Sequence, residues 1–148
     1  MKKGFFLILL LGLLLALILC ANDTDNPYKE YLNNLKYLDK LEEKINSAST
    51  TRGMVDASDE TVKGWDNELN TIYSLLINKQ SVDDAEKLRT EQQLWLKERD
   101  KIANDAVAQN DGASTSIVFY NTSIIESTKQ RTLELISRYF NHDNTMSK

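Results

Sequence analysis

The sequence predicts an all-α protein, a small antiparallel bundle of about four helices that follows a cleaved lipoprotein signal. The chain has one proline and five glycines among 148 residues, so it lacks the frequent turns of a β-sandwich or barrel. Its interior stretches are rich in Leu, Lys, Glu, Gln and Ala, which are good helix formers. Apolar residues recur in these stretches at steps of three and four, which is the period of one helix face.

The N-terminal segment is predicted to export the chain rather than to join the bundle. Two lysines precede an unbroken apolar stretch over residues 4–19, which ends at Cys20 before a polar run. This layout is typical of an export signal, and the stretch is at or below the length of about 20 apolar residues that a spanning helix needs. We therefore interpret residues 1–19 as a signal peptide and residues 20–26 as a tether.

Cys20 is the only cysteine, so the chain cannot form an internal disulfide. A lone cysteine that closes an apolar signal resembles a bacterial lipobox, in which the thiol receives diacylglycerol and becomes the new N-terminus. Leu17 fits the position three residues earlier, whereas Leu19 stands where Gly, Ala or Ser is usual. We predict a lipid-anchored protein of the cell envelope, on the periplasmic or outer face of a membrane. A retained anchor and simple cleavage near Ala21 are the alternatives.

Two helices are predicted in the first half of the mature chain. Residues 27–46 form the first, with Pro27 in its first turn, where the missing N–H costs nothing. Ser and Thr are frequent in residues 46–58, which also contain Gly53, so this segment is predicted to be a loop. Ser58 is expected to cap the second helix, whose acidic first residues favour the positive end of the helix dipole.

Two longer helices are predicted to follow. Ser81, with Asp84 three residues later, resembles a capping box that opens the third helix. An Asn-Asp-Gly turn ends that helix, so residues 109–116 are predicted to be a second long loop. The fourth helix is expected to end near residue 140, before a flexible polar tail over residues 141–148.

The charge of the chain restricts its partners. The 18 basic and 22 acidic residues give a net charge of −4, and the mature chain without Lys2 and Lys3 would carry −6. An acidic surface argues against nucleic acid and anionic lipid as partners, and it favours a cationic protein.

The residue types of an enzyme or metal site are missing from the sequence. His142 is the only histidine, and neither a second histidine nor a free cysteine accompanies it, so the usual zinc ligand set is excluded. There is no Gly-rich phosphate loop, and carboxylate pairs such as Glu42 with Glu43 lie on predicted helix surfaces. We therefore expect a protein that is not an enzyme and that uses no cofactor or metal.

Polar side chains lie on two predicted helix faces that should be buried. The inward face of the third helix carries Gln92, Trp95 and Arg99, and that of the fourth carries Thr128 and Arg131. Buried polar groups need partners, so we predict a network across the interface of these helices, with the Trp95 side chain largely buried there. In this network Arg131 is expected to meet Gln92, Arg99, Asp100 or Glu134.

Three motifs in the second, third and fourth predicted helices occur in a fixed order. They are Leu69-Asn70-x-x-Tyr73-x-x-Leu76, Leu88-x-x-x-Gln92-x-x-Trp95-x-x-x-Arg99-Asp100 and Thr128-x-x-Arg131-x-x-Glu134-Leu135. Over residues 59–140 this pattern resembles the LprI-type domain, a family named for a lipoprotein described as a lysozyme inhibitor. The resemblance implies an envelope lipoprotein that binds lysozyme. From their places on facing helices, we expect the motif residues to hold the helices in register rather than to touch a ligand.

Many LprI-type proteins also carry two cysteines that this chain lacks. One follows the Arg-Asp pair by a few residues and the other shortly precedes Thr-x-x-Arg, and the resemblance implies that they form a disulfide. The nearest positions here are Ala103 and Ser123. Helix packing must therefore hold this chain together without that bridge.

Two functions of different classes fit the sequence. The first, implied by the resemblance, is inhibition of lysozyme, a basic protein toward which an acidic chain would be steered. The second is a structural or adaptor envelope lipoprotein whose partner is another protein. We predict that the partner contacts the loops, through Asp56, Asp111 and Ser114. The alternative is that these loops are only flexible connectors.

Overall fold

Five helices contain most of the residues that the computed structural model describes, which are residues 26–110 and 113–146, with side chains as far as Asn141. No strand occurs within these ranges, and the prediction of an all-α bundle is confirmed. The predicted signal and tether lie almost entirely outside the described residues. The helices are α1 (Pro27–Asn34), α2 (Lys36–Ser47), α3 (Thr51–Lys79), α4 (Val82–Gln109) and α5 (Ser116–Met146).

The single helix predicted over residues 27–46 is divided into α1 and α2. The backbone N–H of Leu35 donates to the Leu32 carbonyl, 3.2 Å away and three residues back, and this tighter closure ends α1. At the other end of α1, the Asn26 side chain accepts from two backbone N–H groups, with Pro27 in the first turn as predicted. The first helix α1 belongs to one compact unit and α2 to α5 belong to another.

The prediction of a long loop over residues 46–58 is wrong. The third helix begins at Thr51, because the Thr50 hydroxyl accepts from the backbone N–H three residues later, at 3.0 Å. Ser58, the expected cap, is buried inside α3, and its hydroxyl donates to the carbonyl three residues back. A Ser- and Thr-rich composition misled the prediction because such hydroxyls can also bond to the carbonyls of their own helix. Only residues 48–50 separate α2 from α3.

The helix α4 begins where the sequence predicts, whereas α5 ends later than predicted. The Ser81 hydroxyl accepts from the Asp84 backbone N–H at 3.2 Å and donates to the Asp84 carboxylate at 2.8 Å, as in a capping box. Only two residues, Gln80 and Ser81, separate α3 from α4. The last helix continues to Met146, past the expected end near residue 140, because no proline or glycine interrupts its backbone there.

The last helix, α5, is the centre of the second unit. It packs along α3 and along α4, whereas α3 and α4 barely touch each other, and α2 packs on α3. Asn121 contacts Ser58 near the starts of α5 and α3, and Tyr139 lies under the Lys79 ammonium near their ends. These two helices therefore run parallel, and α4 runs in the opposite direction.

The core is apolar, with small polar residues between α3 and α5. Thr61, Thr128 and Thr132 are completely buried, and the hydroxyls of Thr61 and Thr132 donate to carbonyls of their own helices at 2.8 and 2.7 Å. These groups are thus buried without an unmet hydrogen bond. The apolar members of the core in α2 to α5 are Leu38, Trp65, Leu69, Ile72, Leu76, Ala85, Leu88, Ala103, Ile124, Ile125, Leu135 and Ile136.

A glycine sets the distance between α2 and α3. A methyl group on Gly64 would lie 2.7 Å from Leu38 Cδ2 and 3.2 Å from Leu41 Cδ1. Leu38 is fully buried, so it has little room to move away. Packing of α2 on α3 therefore depends on the absence of a side chain at Gly64.

A helix that spans a membrane must be both long enough and apolar enough to cross the hydrocarbon core. None of the helices within residues 26–110 and 113–146 meets both requirements.

Candidate functional site

Arg131 lies at the centre of a polar network between α4 and α5. Arg131 is 6% exposed, and its Nε donates to Gln92 Oε1 over 3.0 Å. Its Nη1 donates to Glu134 Oε2 over 2.8 Å, and its Nη2 lies 3.7 Å from Glu91 Oε2. The predicted contacts of Arg131 with Gln92 and Glu134 are therefore present. A buried guanidinium needs such partners, because an unpaired buried charge is strongly destabilising.

Arg99 connects three helices at a second polar cluster. Its Nη1 donates to Asp66 of α3 at 3.0 Å and to Thr128 of α5 at 3.5 Å, and its Nε donates to Asp100 at 3.2 Å. Its side chain is 15% exposed. The sequence pattern brought Arg99, Asp100 and Thr128 together but missed Asp66, whose position on α3 gave no sign of a partner 33 residues away. That these residues act to hold the register remains a prediction.

Trp95, which was predicted to be largely buried, is neither fully buried nor fully exposed. Its ring lies 5.3 Å from the Arg99 guanidinium carbon, at cation–π distance. Trp95 lies beside α5, where it lines a small surface pocket together with Ser127 and Gln130. The tryptophan of the core is Trp65 in α3, which is 2% exposed.

Trp65 belongs to a cluster that sequence reasoning did not find. Its Nε1 donates to Glu42 Oε1 at 2.9 Å. The Lys129 ammonium donates to both Glu42 oxygens at 2.9 and 3.0 Å and lies 5.3 Å from the Trp65 ring centroid. Glu42 of α2 is thus tied to α3 and to α5. The sequence predicts a solvated Glu42 on a helix surface, because no local pattern indicates its contacts with residues 23 and 87 positions away.

Ion pairs with Glu91 extend the Arg131 network to the surface. Arg138 Nη1 donates to Glu91 Oε2 at 2.7 Å. This hydrogen bond lowers the pKa of Glu91, and partial burial opposes it. The same bond raises the pKa of Arg138, which also pairs with Glu134 at 2.7 Å. The Glu91 carboxylate is thus held in its charged form, which suits ion pairing better than proton transfer.

The three residues predicted to contact a partner have different positions. Asp56 lies on α3 rather than in a loop, and the Arg52 Nε donates to both of its carboxylate oxygens at 2.9 and 3.0 Å. Ser114 is exposed in the turn before α5. Asp111 lies outside the described residues. The segment before Ser58 is therefore no flexible connector, whereas the turn between α4 and α5 remains a possible contact surface.

A protein metal site needs several ligand side chains close together. Within residues 26–110 and 113–141 there is no group of three His, Cys, Asp or Glu side chains that could hold a metal ion.

The part of the chain that contains these polar clusters matches a known protein family. A family model described as lysozyme inhibitor LprI matches residues 42–135, from α2 into α5. The chain belongs to the LprI family. It matches no curated protein and no solved structure.

The extent of the LprI match agrees with the packing of the second unit. The match was expected to begin at residue 59, but it begins at Glu42, the residue that bonds Trp65 and Lys129. It includes the whole of α3 and α4 and all members of the three motifs. The end of α2 is therefore part of the LprI domain rather than a separate N-terminal addition.

Proposed function

We propose that this LprI-family protein is an exported lipoprotein that acts by binding another protein, and that lysozyme is its partner. The observation that carries the proposal is the family match, which covers α3, α4 and most of α5 and whose description names a lysozyme inhibitor. An inhibitor acts through surface complementarity, so the function needs no catalytic residue in the chain itself.

Electrostatics supports a basic partner. The chain carries a net charge of −4, and lysozyme is a basic protein whose substrate cleft is lined by carboxylates. Opposite net charges accelerate encounter and favour this pair over acidic competitors, although they add less to the final affinity.

One end of the bundle is the proposed contact surface. Because α3 and α5 run parallel, Asp56 near the start of α3 and Ser114 before α5 lie at the same end of the second unit. The Asp56 carboxylate is paired with an Arg52 side chain that is 86% exposed. Exposed pairs of this kind contribute about 0–1 kcal/mol, so a cationic partner could replace Arg52 at little cost.

The proposed anchor is a lipid on the Cys20 thiol. Cys20→Ala should release the protein from membranes into the soluble fraction, and radiolabelled fatty acid should mark only the wild type. A Cys20→Ala protein that stays in the membrane with its apolar segment intact would support a retained anchor instead.

The binding function can be tested by muramidase activity. Purified residues 21–148 should slow the hydrolysis of cell walls by lysozyme in a dose-dependent and saturable manner. An unrelated acidic protein of equal net charge is the control for unspecific attraction. If the hydrolysis rate stays unchanged at a large excess of the chain, the inhibitor assignment is wrong and the adaptor function takes its place.

The contact surface can be tested by neutralising two aspartates. Asp56→Asn with Asp111→Asn should weaken binding to lysozyme and flatten its salt dependence. Glu98→Gln with Glu126→Gln, which removes two exposed charges on the bodies of α4 and α5, is the matched control. Equal affinity and equal salt dependence of the double variant and the wild type would place the interface on a helix face.

A further inference from the structure

A groove lies between α3 and α4, formed where these two helices barely touch. Its volume is about 430 Å³, and its lining residues belong only to α3 and α4. Volumes of about 300–1,000 Å³ are typical of small-ligand sites. The groove holds five residues from the first two of the three sequence motifs, namely Leu69, Asn70, Tyr73, Gln92 and Arg99.

Gln92 presents an oriented hydrogen-bond donor to this groove. Gln92 is 9% exposed, and its Oε1 accepts from Arg131 Nε at 3.0 Å. Because a guanidinium can only donate, the amide oxygen must face Arg131 and the Nε2 must face the other way. Within the described part of the chain Nε2 has no hydrogen-bond partner, yet it is not sealed from solvent. Because Gln92 lines the groove, this amide is the donor that the proposal below assigns to the ligand.

The rest of the lining combines apolar and neutral polar groups. Leu69 is 3% exposed at the base of the groove, and Leu96 is 37% exposed. The side chains of Asn70 and Tyr73 make no hydrogen bond to any residue within 26–110 and 113–141. Packing in the core explains why Leu69 belongs to the sequence motifs, and hydrogen bonding in the polar clusters explains why Gln92 and Arg99 do. Neither explains why Asn70 and Tyr73 belong to the motif.

The charged residues of the groove already have partners. Arg99 pairs with Asp66 at 3.0 Å and with Asp100 at 3.2 Å, and Arg89 pairs with Glu86 at 3.3 Å. The groove thus offers donors and acceptors without an unpaired charge. This composition favours an uncharged ligand that is rich in hydrogen-bonding groups over an anion.

We propose that this groove binds a chain of acetamido sugars. An acetamido group carries a carbonyl oxygen and a methyl group on the same carbon, so the oxygen can accept from Gln92 Nε2 while the methyl packs on Leu69 and Leu96. The Tyr73 ring offers an apolar face to the C–H groups of a sugar ring, and the Asn70 amide can both donate to and accept from hydroxyls. The site goes beyond the proposed inhibition, since it needs no lysozyme to be occupied.

Calorimetric titration of the full chain tests the proposal. The protein is solubilised in a detergent without a sugar head group and titrated with the β-1,4-linked trimer of N-acetylglucosamine. Cellotriose, which has the same linkage but no acetamido groups, is the matched ligand control. The N-acetylglucosamine trimer should bind, and cellotriose should bind about tenfold more weakly or not at all, because it leaves the Gln92 donor without a carbonyl partner.

Two variants separate recognition from folding. Gln92→Glu keeps an oxygen acceptor for Arg131 but removes the N–H donors of the groove, so the affinity for the trimer should fall about tenfold or more while the thermal midpoint does not fall. Asn67→Ala removes an exposed amide of α3 that does not line the groove, and it should bind like the wild type. Failure of the wild type to bind the trimer would overturn the proposal. So would equal affinity of the Gln92→Glu variant, or equal affinity of the wild type for cellotriose.

Discussion

Arg131 Nε donates to Gln92 Oε1 over 3.0 Å, and both residues are more than nine-tenths buried between α5 and α4. The contact fixes the amide oxygen of Gln92 on the Arg131 side, and Gln92 also lines the α3–α4 groove. One hydrogen bond thus links the packing of the helices to a surface feature of the LprI domain.

A double-mutant cycle measures the strength of this contact. Gln92→Leu should lower the free energy of unfolding by about 1–3 kcal/mol, because the buried Arg131 loses an acceptor. Arg131→Met should cost a similar amount, and the double variant should cost less than the sum of the two single variants. Urea unfolding followed by circular dichroism gives the three values. Strict additivity would show that the two side chains do not interact in solution.

The two tryptophans should differ in their contribution to stability. Trp65→Ala removes a buried ring together with its hydrogen bond to Glu42, so it should lower the free energy of unfolding by about 3–5 kcal/mol. Trp95→Ala should cost clearly less, because Trp95 is partly exposed. Fluorescence of the two single-tryptophan proteins checks the same point. Iodide should quench Trp95 well and Trp65 poorly, and the reverse order would contradict the structure.

Gly64→Ala should destabilise the packing of α2 on α3. A methyl group at this position would lie 2.7 Å from Leu38 Cδ2, and such overpacking costs about 1–3 kcal/mol. Alanine also gains about 1 kcal/mol in helix propensity over glycine, so the expected net result is a loss. Lys63→Ala, an exposed neighbour on the same helix, is the control. A Gly64→Ala protein with a higher thermal midpoint would show that α2 does not pack closely in solution.

Stability should fall in acid partly through Glu91. The hydrogen bond from Arg138 lowers the pKa of Glu91 from its ordinary value of 4.5. The unfolded chain therefore takes up this proton more readily, and the stabilisation that is present above pH 4.5 is lost as the pH falls through the lower folded-state pKa. Because Glu91 is half-exposed, the effect should be at most about 1 kcal/mol. Urea unfolding of Glu91→Gln should show a flatter decline than that of Glu126→Gln. Parallel declines would rule out this contribution.

Features that depend on periodicity were predicted correctly from the sequence. Contacts between residues far apart in the chain were not. Apolar residues at steps of three and four predicted the helices, and the two facing stripes predicted the contact of Gln92 with Arg131. The start of α3 was missed because the composition near Ser58 fits either a loop or a helix whose hydroxyls bond its own carbonyls.

The tryptophan positions show the same limit. Trp95 and Trp65 both lie on apolar stripes, and only the packing decides which of them is enclosed. The groove between α3 and α4 exists because both helices pack on α5 and make few contacts with each other. No local pattern in α3 or α4 carries this information.

The affinity of residues 21–148 for lysozyme across a salt series tests the central claim most directly, that this LprI domain acts by binding a basic protein partner. We expect saturable binding of defined stoichiometry at low salt, with an association rate that falls as the ionic strength rises because the charges of the two proteins attract. The Gln92→Leu variant, if it remains folded, should bind with the same affinity, since the proposed contact surface lies at the end of the bundle. Absence of saturable binding at low ionic strength would contradict the account.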